Sequence, residues 1–172
     1  MGLSSIANST YSSGDGSTWT PRNPGTRNAL EAVAAGPDKF VATGSKGTII
    51  TSSDGMTWTT QNSGVSTSIF LDAVIYGNGL YVVTGLSGTI LTSPDGVTWT
   101  ARTSGTTQEL VAVTYGDNQF VALGTQGAVL ASSDGISWST VTPVIHDVLW
   151  DGAFGGNLFV GVSDLGYVIT SP

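Results

Sequence analysis

Short apolar runs recur along the whole chain, and residues that favour turns separate them. Typical runs are Leu71–Val74, Tyr81–Gly85 and Ile90–Thr92, which are rich in β-branched and aromatic residues. Runs of this length, bounded by Gly, Asp, Asn and Ser, indicate β-strands that are joined by tight turns. No stretch has the three- and four-residue spacing of an amphipathic helix. The pattern therefore predicts an all-β protein.

The runs belong to a repeated unit that ends in tryptophan. Four tryptophans follow one another at intervals of 39, 41 and 39 residues, and each closes an Asp-Gly-x-Thr/Ser-Trp motif. The motifs begin at Asp15, Asp54, Asp95 and Asp134 and end at Trp19, Trp58, Trp99 and Trp138. A complete repeat holds four strand-like runs in about 40 residues, which is the size of one β-propeller blade. The sequence thus predicts a propeller of four-stranded antiparallel blades, with four repeats per chain.

The Asp-Gly motif has a structural explanation. A carboxylate can accept hydrogen bonds from backbone N–H groups two residues further on, and Gly adopts the positive φ that a tight hairpin needs. The tryptophan would then begin the outer strand and cover the contact with a neighbouring blade. We therefore interpret the four Asp and the four Trp of the motif as structural residues.

The motif resembles the Asp-box (BNR) repeats of sialidases and of many non-enzymatic propellers. The pattern of that family is Ser-x-Asp-x-Gly-x-Thr-Trp, and the version in this chain, for example Ser52–Trp58, is one residue shorter. The resemblance implies a propeller fold. It does not imply an activity, because the Asp boxes of that family are turns that lie away from the active centre.

The last repeat lacks its outer strand. Residues 149–172 supply three runs and stop at Ile169–Pro172, where the repeat would continue with Asp, whereas Asp15–Trp19 lies at the other end of the chain. We expect the C-terminal strands and an N-terminal outer strand to form one composite blade, which closes the ring and removes free edges. This gives one propeller domain, residues 15–172, after a tail of residues 1–14. Four repeats fit a four-bladed ring in one chain or an eight-bladed ring shared by two chains.

Composition limits the partners and cofactors. The 172 residues include 12 acidic and 5 scattered basic side chains, for a net charge of −7, so nucleic acid is not an expected partner. No apolar window of 18 residues and no signal peptide is found, so we expect cytoplasmic synthesis without membrane insertion. The chain has no cysteine, one histidine and no calcium-loop spacing, so no metal or cofactor is predicted.

Positions that differ between repeats are the candidates for a binding site, because the fold explains the positions that recur. The second position of the first strand holds Glu31, Asp72, Val111 and Trp150 in the four repeats, and Asp151 follows Trp150. The fourth repeat is therefore the most unusual one.

Two further residues occupy equivalent places ahead of the first strand. Arg27 and His146 belong to blades that ring closure would make neighbours. An aromatic ring beside acids, an Arg and a His suits stacking on a sugar and hydrogen bonding to its hydroxyl groups. The predicted ligand site comprises Trp150, Asp151, Arg27, His146, Glu31 and Asp72. Alternatively, Trp150 fills space left by Gly152 and Gly161.

Catalysis is not predicted. Glu31 and Asp72 have the chemistry of a glycosidase's paired carboxylates, but solvated acids at a channel mouth explain them equally well. Sialidases, which the repeat resembles, use three Arg, a Tyr with a Glu, and an Asp acid. Arg22 and Arg27 share one loop and Arg102 lies two blades away, so the chain does not match that cluster.

Two classes of function remain. The first is a non-enzymatic recognition module, carried on a phage tail or another particle, that binds a cell-surface glycan or protein and gains avidity from several copies. The second is an intracellular assembly or scaffold propeller, similar to the photosystem II assembly factors that have Asp-box-like repeats. Those factors present a basic Arg patch to their client. This acidic chain has no such patch, which favours the first class.

Overall fold

A computed structural model describes residues 10–141 and 145–171. These residues form seventeen β-strands and three single turns of 3-10 helix, and the described ranges contain no α-helix. The strands are β1 (Thr10–Ser12), β2 (Thr20–Arg22), β3 (Leu30–Ala35), β4 (Phe40–Gly44), β5 (Thr48–Ser52), β6 (Thr59–Gln61), β7 (Leu71–Gly77), β8 (Leu80–Gly85), β9 (Thr89–Ser93), β10 (Thr100–Arg102), β11 (Leu110–Gly116), β12 (Gln119–Gly124), β13 (Val129–Ser132), β14 (Ser139–Val141), β15 (Leu149–Gly155), β16 (Leu158–Ser163) and β17 (Val168–Ser171). The predicted all-β class is confirmed. Within the described residues, no helix is long and apolar enough to span a membrane.

Successive strands pair antiparallel. The sheets β3–β6, β7–β10 and β11–β14 are complete four-stranded meanders, which we call blades 1, 2 and 3. Strands β15–β17 form a three-stranded blade 4, and β1 pairs with β2 in a two-stranded sheet ahead of blade 1. Each complete blade corresponds to one repeat of the sequence, so the predicted four-stranded unit is confirmed three times.

The blades stack through their first strands. β3 packs against β7, β7 against β11, and β11 against β15, so these four inner strands form a row. Apolar clusters fill the contacts between blades: Val41 and Ile49 of blade 1 pack with Leu71, Tyr81 and Leu91 of blade 2. The core therefore lies between blades, and burial of apolar surface, at about 25 cal/mol per Å², holds neighbouring blades together.

Glycine is required where a ring of the next blade lies on the backbone. Tyr115 lies on Gly77 and Phe154 lies on Gly116, so a Cβ at either glycine would overlap the ring. This close approach explains why each of these inner strands ends in glycine.

The two ends of this chain do not close the ring. β2 pairs with β1, with Ser12 opposite Thr20 and Thr10 opposite Arg22, whereas β17 has no fourth strand beyond it in the described residues. The expected composite blade, and with it the four-bladed ring in one chain, is therefore not formed. The cause is local, because the turn at Asp15 joins β1 directly to β2, and β1 takes the place that we expected for β17.

Strand β1 falls within residues 1–14, which the sequence assigned to a tail. Residues 10–12 form this strand, and residues 1–9 lie outside the described residues.

Candidate functional site

The Asp-Gly turns form one conserved local arrangement in all four copies. In the second copy, Oδ1 of Asp54 accepts hydrogen bonds from the backbone N–H groups of Met56 and Thr57, both at 2.8 Å. The Ser52 hydroxyl donates to the same oxygen at 2.9 Å and accepts the N–H of Gly55 at 2.8 Å. Gly55 has a φ of 69°, in the region that favours glycine. One oxygen of the carboxylate thus accepts three hydrogen bonds from its own turn.

The hydrogen bonds of these turns lower the pKa of each Asp from 3.8 to about 2. The two backbone donors are the largest cause in every copy, because hydrogen bonds to the ionised carboxylate favour the charged form. The affected residues are Asp15, Asp54, Asp95 and Asp134. These hydrogen bonds explain the ionised carboxylates as part of the turn structure.

The repeat-breaking position of the inner strands is a β-bulge in every blade. The register between the first and second strands shifts at Glu31, Asp72, Val111 and Trp150. A bulge leaves one residue unpaired and re-aims its side chain, and bulges are common beside binding sites. We call these four residues the bulge row. The sequence singled out the position but did not predict the bulge.

Asp72 is the electrostatically perturbed member of the bulge row. Its side chain is half-buried, and its Oδ2 has no hydrogen-bond partner. The pKa of Asp72 is raised from 3.8 to about 6, chiefly by desolvation and in addition by the negative charges of Glu109 and Glu31. Glu31 and Asp72 are therefore near one another, as their places on the adjacent strands β3 and β7 require. This concentrates negative charge at the start of the inner strands.

Glu109 was not a predicted site residue. It lies immediately before β11, one position ahead of the bulge-row strand, and its charge acts on Asp72. A signal was present in the sequence, because the equivalent positions in the other repeats hold Ala29, Phe70 and Val148, none of which is charged. Glu109 lies one residue outside the strand, so the differences within the strands did not indicate it.

Trp150 and Asp151 lie at the start of β15. The Trp150 side chain is 55% exposed. The Asp151 carboxylate accepts the N–H of Gly152 at 2.8 Å and is otherwise directed to an exposed surface. The space beside Gly152 and Gly161 is occupied by the Leu123 side chain of blade 3. Trp150 is therefore accessible to a ligand.

Arg27 and His146 are not brought together by the single chain. Arg27 precedes β3 and His146 precedes β15, which are the two ends of the row of inner strands. Both residues are exposed. Their predicted juxtaposition depended on closure of the ring, which this chain does not achieve alone. Among the described residues, no group of three His, Cys, Asp or Glu side chains is arranged to hold a metal ion.

Comparison with known proteins supports the fold. No protein-family model and no curated protein sequence matches the chain. Among solved structures, the chain is similar to YCF48 bound to D1 peptide, with 16% identity and a TM-score of 0.72 over 97% of this chain and 58% of that one. The computationally designed Ika4 protein matches with 15% identity and a TM-score of 0.69, over 85% of this chain and 92% of that one.

A third similar structure is the WD40 β-propeller domain of Doa1. It matches with 18% identity and a TM-score of 0.65, over 84% of this chain and 51% of that one. The chain therefore has a β-propeller arrangement of blades. It spans a little more than half the length of the YCF48 chain and about half of the Doa1 domain.

Proposed function

We propose that this protein is a non-enzymatic, Asp-box-type binding propeller whose ligand surface is the bulge row together with Glu109. The observation that carries the proposal is the β-bulge at the second position of every inner strand. It presents an inner-strand position that holds Glu31, Asp72, Val111 and Trp150 in the four blades. Such a surface combines a rigid framework with variable side chains, which is the usual construction of a recognition site.

We propose a positively charged peptide segment of a protein as the ligand. The negative charges of Glu31 and Glu109 act on Asp72 at the start of adjacent inner strands. A Lys or Arg side chain placed there would relieve this repulsion and form a charge-assisted hydrogen bond. The similarity to YCF48 bound to D1 peptide supports a peptide as the ligand class. An assembly or scaffold role would follow from such binding.

A peptide array tests this proposal. The protein, clustered on beads, is offered synthetic peptides rich in Lys and Arg, with matched peptides in which each basic residue is replaced by Glu or Ser. Binding to the basic peptides alone is expected, and affinity should fall about two- to fivefold for each of the single variants Glu31→Gln, Asp72→Asn and Glu109→Gln. Asp38→Asn is the matched control, because Asp38 lies in the turn at the opposite end of β3. Equal binding of the Glu peptides would contradict the proposal.

A surface glycan is the second candidate ligand, because Trp150 offers an exposed aromatic face beside the Asp151 carboxylate. One shallow site of this kind would bind in the millimolar to micromolar range, about −4 to −8 kcal/mol, so adhesion would need several copies on a virion or another particle. The test is a glycan array with beads that carry the wild type, Trp150→Ala or the control Tyr167→Ala, an exposed aromatic elsewhere in blade 4. Loss of binding in Trp150→Ala alone would support this candidate, and unchanged binding would eliminate it.

We also propose that the bulge row is not catalytic. Hydrolysis of a glycoside needs two carboxyl groups with divergent pKa values on either side of the bond. The pKa of Asp72 is raised, but burial of its side chain and the nearby charges of Glu109 and Glu31 explain the shift without a catalytic role. Turnover of any chromogenic glycoside that is abolished by Asp72→Asn would contradict this part of the proposal.

A further inference from the structure

The contacts between blades 1 and 2 and between blades 2 and 3 share one feature, a tryptophan from the later blade. This tryptophan packs against the apolar cluster between the two blades: Trp99 against the cluster that contains Val41 and Ile49, and Trp138 against the cluster that contains Val82 and Ile90. Each tryptophan immediately precedes the outer strand of its blade. A finished contact therefore needs both an outer strand and its tryptophan.

The contact between blades 3 and 4 lacks both and contains a cavity instead. Val121 and Val129 hold the places of Val41 and Ile49, as their pairing registers show. They face a cavity of about 340 Å³, which is closed on the blade 4 side by residues that include Phe159 and Ile169. No tryptophan belongs to the apolar cluster at this contact. The cavity lies where the repeat places an indole ring.

The opposite end of the chain presents the missing parts. Trp19 follows the same Asp-Gly turn as the other three tryptophans, yet it is 59% exposed. Phe40 of blade 1 is 39% exposed, whereas its equivalents Tyr81 and Phe120 are fully buried. Both exposed rings lie on the side of the chain that no preceding blade covers.

The strand edges at the two ends match in register and chemistry. In blade 2, Arg102 of the outer strand donates its Nε–H to Oγ1 of Thr92 at 2.8 Å. Arg22 of β2 makes the same contact with the Ser12 hydroxyl of β1, at 2.9 Å. Thr170 of β17 holds the place of Thr92, because each lies opposite the corresponding Val of the second strand. Strand β17 thus offers Arg22 the hydroxyl that β1 now provides.

A glycine at the end of blade 4 is left uncovered by the described residues. Gly36, at the end of the first inner strand, is covered by Tyr81 of the next blade. Gly155, at the end of β15, has nothing within 4 Å of the position of a Cβ. Phe40 is the repeat equivalent of Tyr81 and is exposed in the single chain. A second blade 1, set against blade 4 as blade 2 is set against blade 1, would bring Phe40 towards Gly155.

We propose that two copies of this chain assemble into one ring, in which β2 of each copy leaves β1 and pairs with β17 of the other copy while Trp19 enters the cavity between blades 3 and 4. A second copy is the occupant because the parts absent at the blade 4 end, an outer strand and its tryptophan, are present and exposed at the blade 1 end of an identical chain. Two identical junctions leave no free strand edge, and a symmetric dimer has a closed set of contacts.

The assembly would also bring together Arg27 and His146, which the sequence predicted to be neighbours. Blade 4 of one copy would lie beside blade 1 of the other, so His146 and Trp150 of one copy would lie next to Arg27 of the other. This proposal does not depend on the ligand of the bulge row, because its test measures mass and cross-linking without any ligand.

Light scattering during size-exclusion chromatography is the first test. The wild type is expected at twice the 17.5 kDa mass of the chain. Trp19→Ala removes the ring that fills the cavity and should weaken self-association about 100-fold or more. Tyr11→Ala is the matched control, because Tyr11 is an exposed ring on β1, which the exchange leaves out. Circular dichroism checks that both variants keep the all-β spectrum. A monomeric wild type, or equal masses for wild type and Trp19→Ala, would overturn the proposal.

Disulfide cross-linking distinguishes a second copy from closure within one chain. Directly opposed residues of antiparallel strands have Cα atoms about 4.5 to 5.5 Å apart, a separation that suits a disulfide. The chain has no cysteine, so Thr20→Cys chains can be mixed with Thr170→Cys chains after refolding together. A covalent two-chain product is expected, and Asp38→Cys mixed with Thr170→Cys should give none. In the double variant Thr20→Cys/Thr170→Cys, a cross-link confined to single chains would overturn the two-copy assembly.

Discussion

The turn carboxylates make the stability of the protein depend on pH in a defined direction. The pKa of Asp54 is lowered from 3.8 to about 2 in the folded state, so the folded state prefers the ionised form. This contribution is complete above about pH 4 and is lost as the pH falls towards 2. The turn carboxylates should leave the urea midpoint unchanged between pH 5 and 7 and should make it fall steeply below pH 4.

The variant Asp54→Asn isolates this contribution. It cannot ionise, so its urea midpoint should start lower at pH 5 and change less between pH 4 and 2 than that of the wild type. Asp134→Asn should behave in the same way, since the pKa of Asp134 is lowered by the same donors. Parallel pH curves for wild type and variants would show that the carboxylates do not stabilise the turns.

The raised pKa of Asp72 makes stability depend on pH in the opposite direction. Its pKa is raised to about 6, so the folded state prefers the protonated form, and stability decreases as the pH rises from about 4 through 6. The variant Asp72→Asn removes the desolvated charge. Its urea midpoint should exceed that of the wild type at pH 7.5 and equal it at pH 4. A variant that is less stable than wild type at pH 7.5 would contradict the assigned repulsion.

The turn hydroxyl contributes to stability at the level of the hairpin. Ser93 is fully buried, donates to Asp95 at 2.9 Å and accepts the buried N–H of Gly96 at 2.8 Å. Ser93→Ala leaves that N–H without a partner and should reduce the free energy of unfolding by about 1 to 3 kcal/mol. Ser53→Ala, at an exposed position beside the equivalent turn, should change it by less than about 0.5 kcal/mol. Chemical denaturation measures both, and equal effects would contradict the role of the hydroxyl.

The strands and turns were predictable because they are encoded locally. The apolar runs, the Asp-Gly turns and the four-stranded repeat all follow from residues close together in sequence. The bulges were not predictable, since a register shift between β3 and β4 depends on how both strands pack. The sequence of residues 10–13 resembles the third strand of a repeat, but its pairing with β2 in place of β17 was not predicted, because it depends on the turn at Asp15.

The candidate site could be predicted only in part, because some of its relations depend on tertiary packing. Comparison of repeats marked Glu31, Asp72 and Trp150, which the structure places on one row of bulges. Glu109 acts through space on Asp72 from a position just outside the compared strand. The juxtaposition of Arg27 and His146 required a closed ring. Such electrostatic and long-range relations arise from tertiary packing, which no single repeat contains.

The number of repeats does not determine the angle between neighbouring blades, and so it does not determine the size of the ring. Four repeats are compatible with rings of different size, because side-chain packing between blades sets the angle from one blade to the next. The described residues form three complete blades with unfinished sheets at both ends. The bulge row follows this arc, so any ligand that contacts several blades meets Glu31, Asp72 and Trp150 in order along the inner strands.

Calorimetric titration of a Lys- and Arg-rich peptide, selected from the array, at pH 7.5 and pH 5 tests whether the bulge row binds a cationic ligand. Asp72 is ionised at pH 7.5 and mainly protonated at pH 5, because its pKa is about 6. We expect the wild type to bind the peptide several-fold more tightly at pH 7.5 than at pH 5, and Asp72→Asn to show the weaker affinity at both values. Equal affinity of the wild type at the two pH values, or full affinity in Asp72→Asn, would contradict binding at this row.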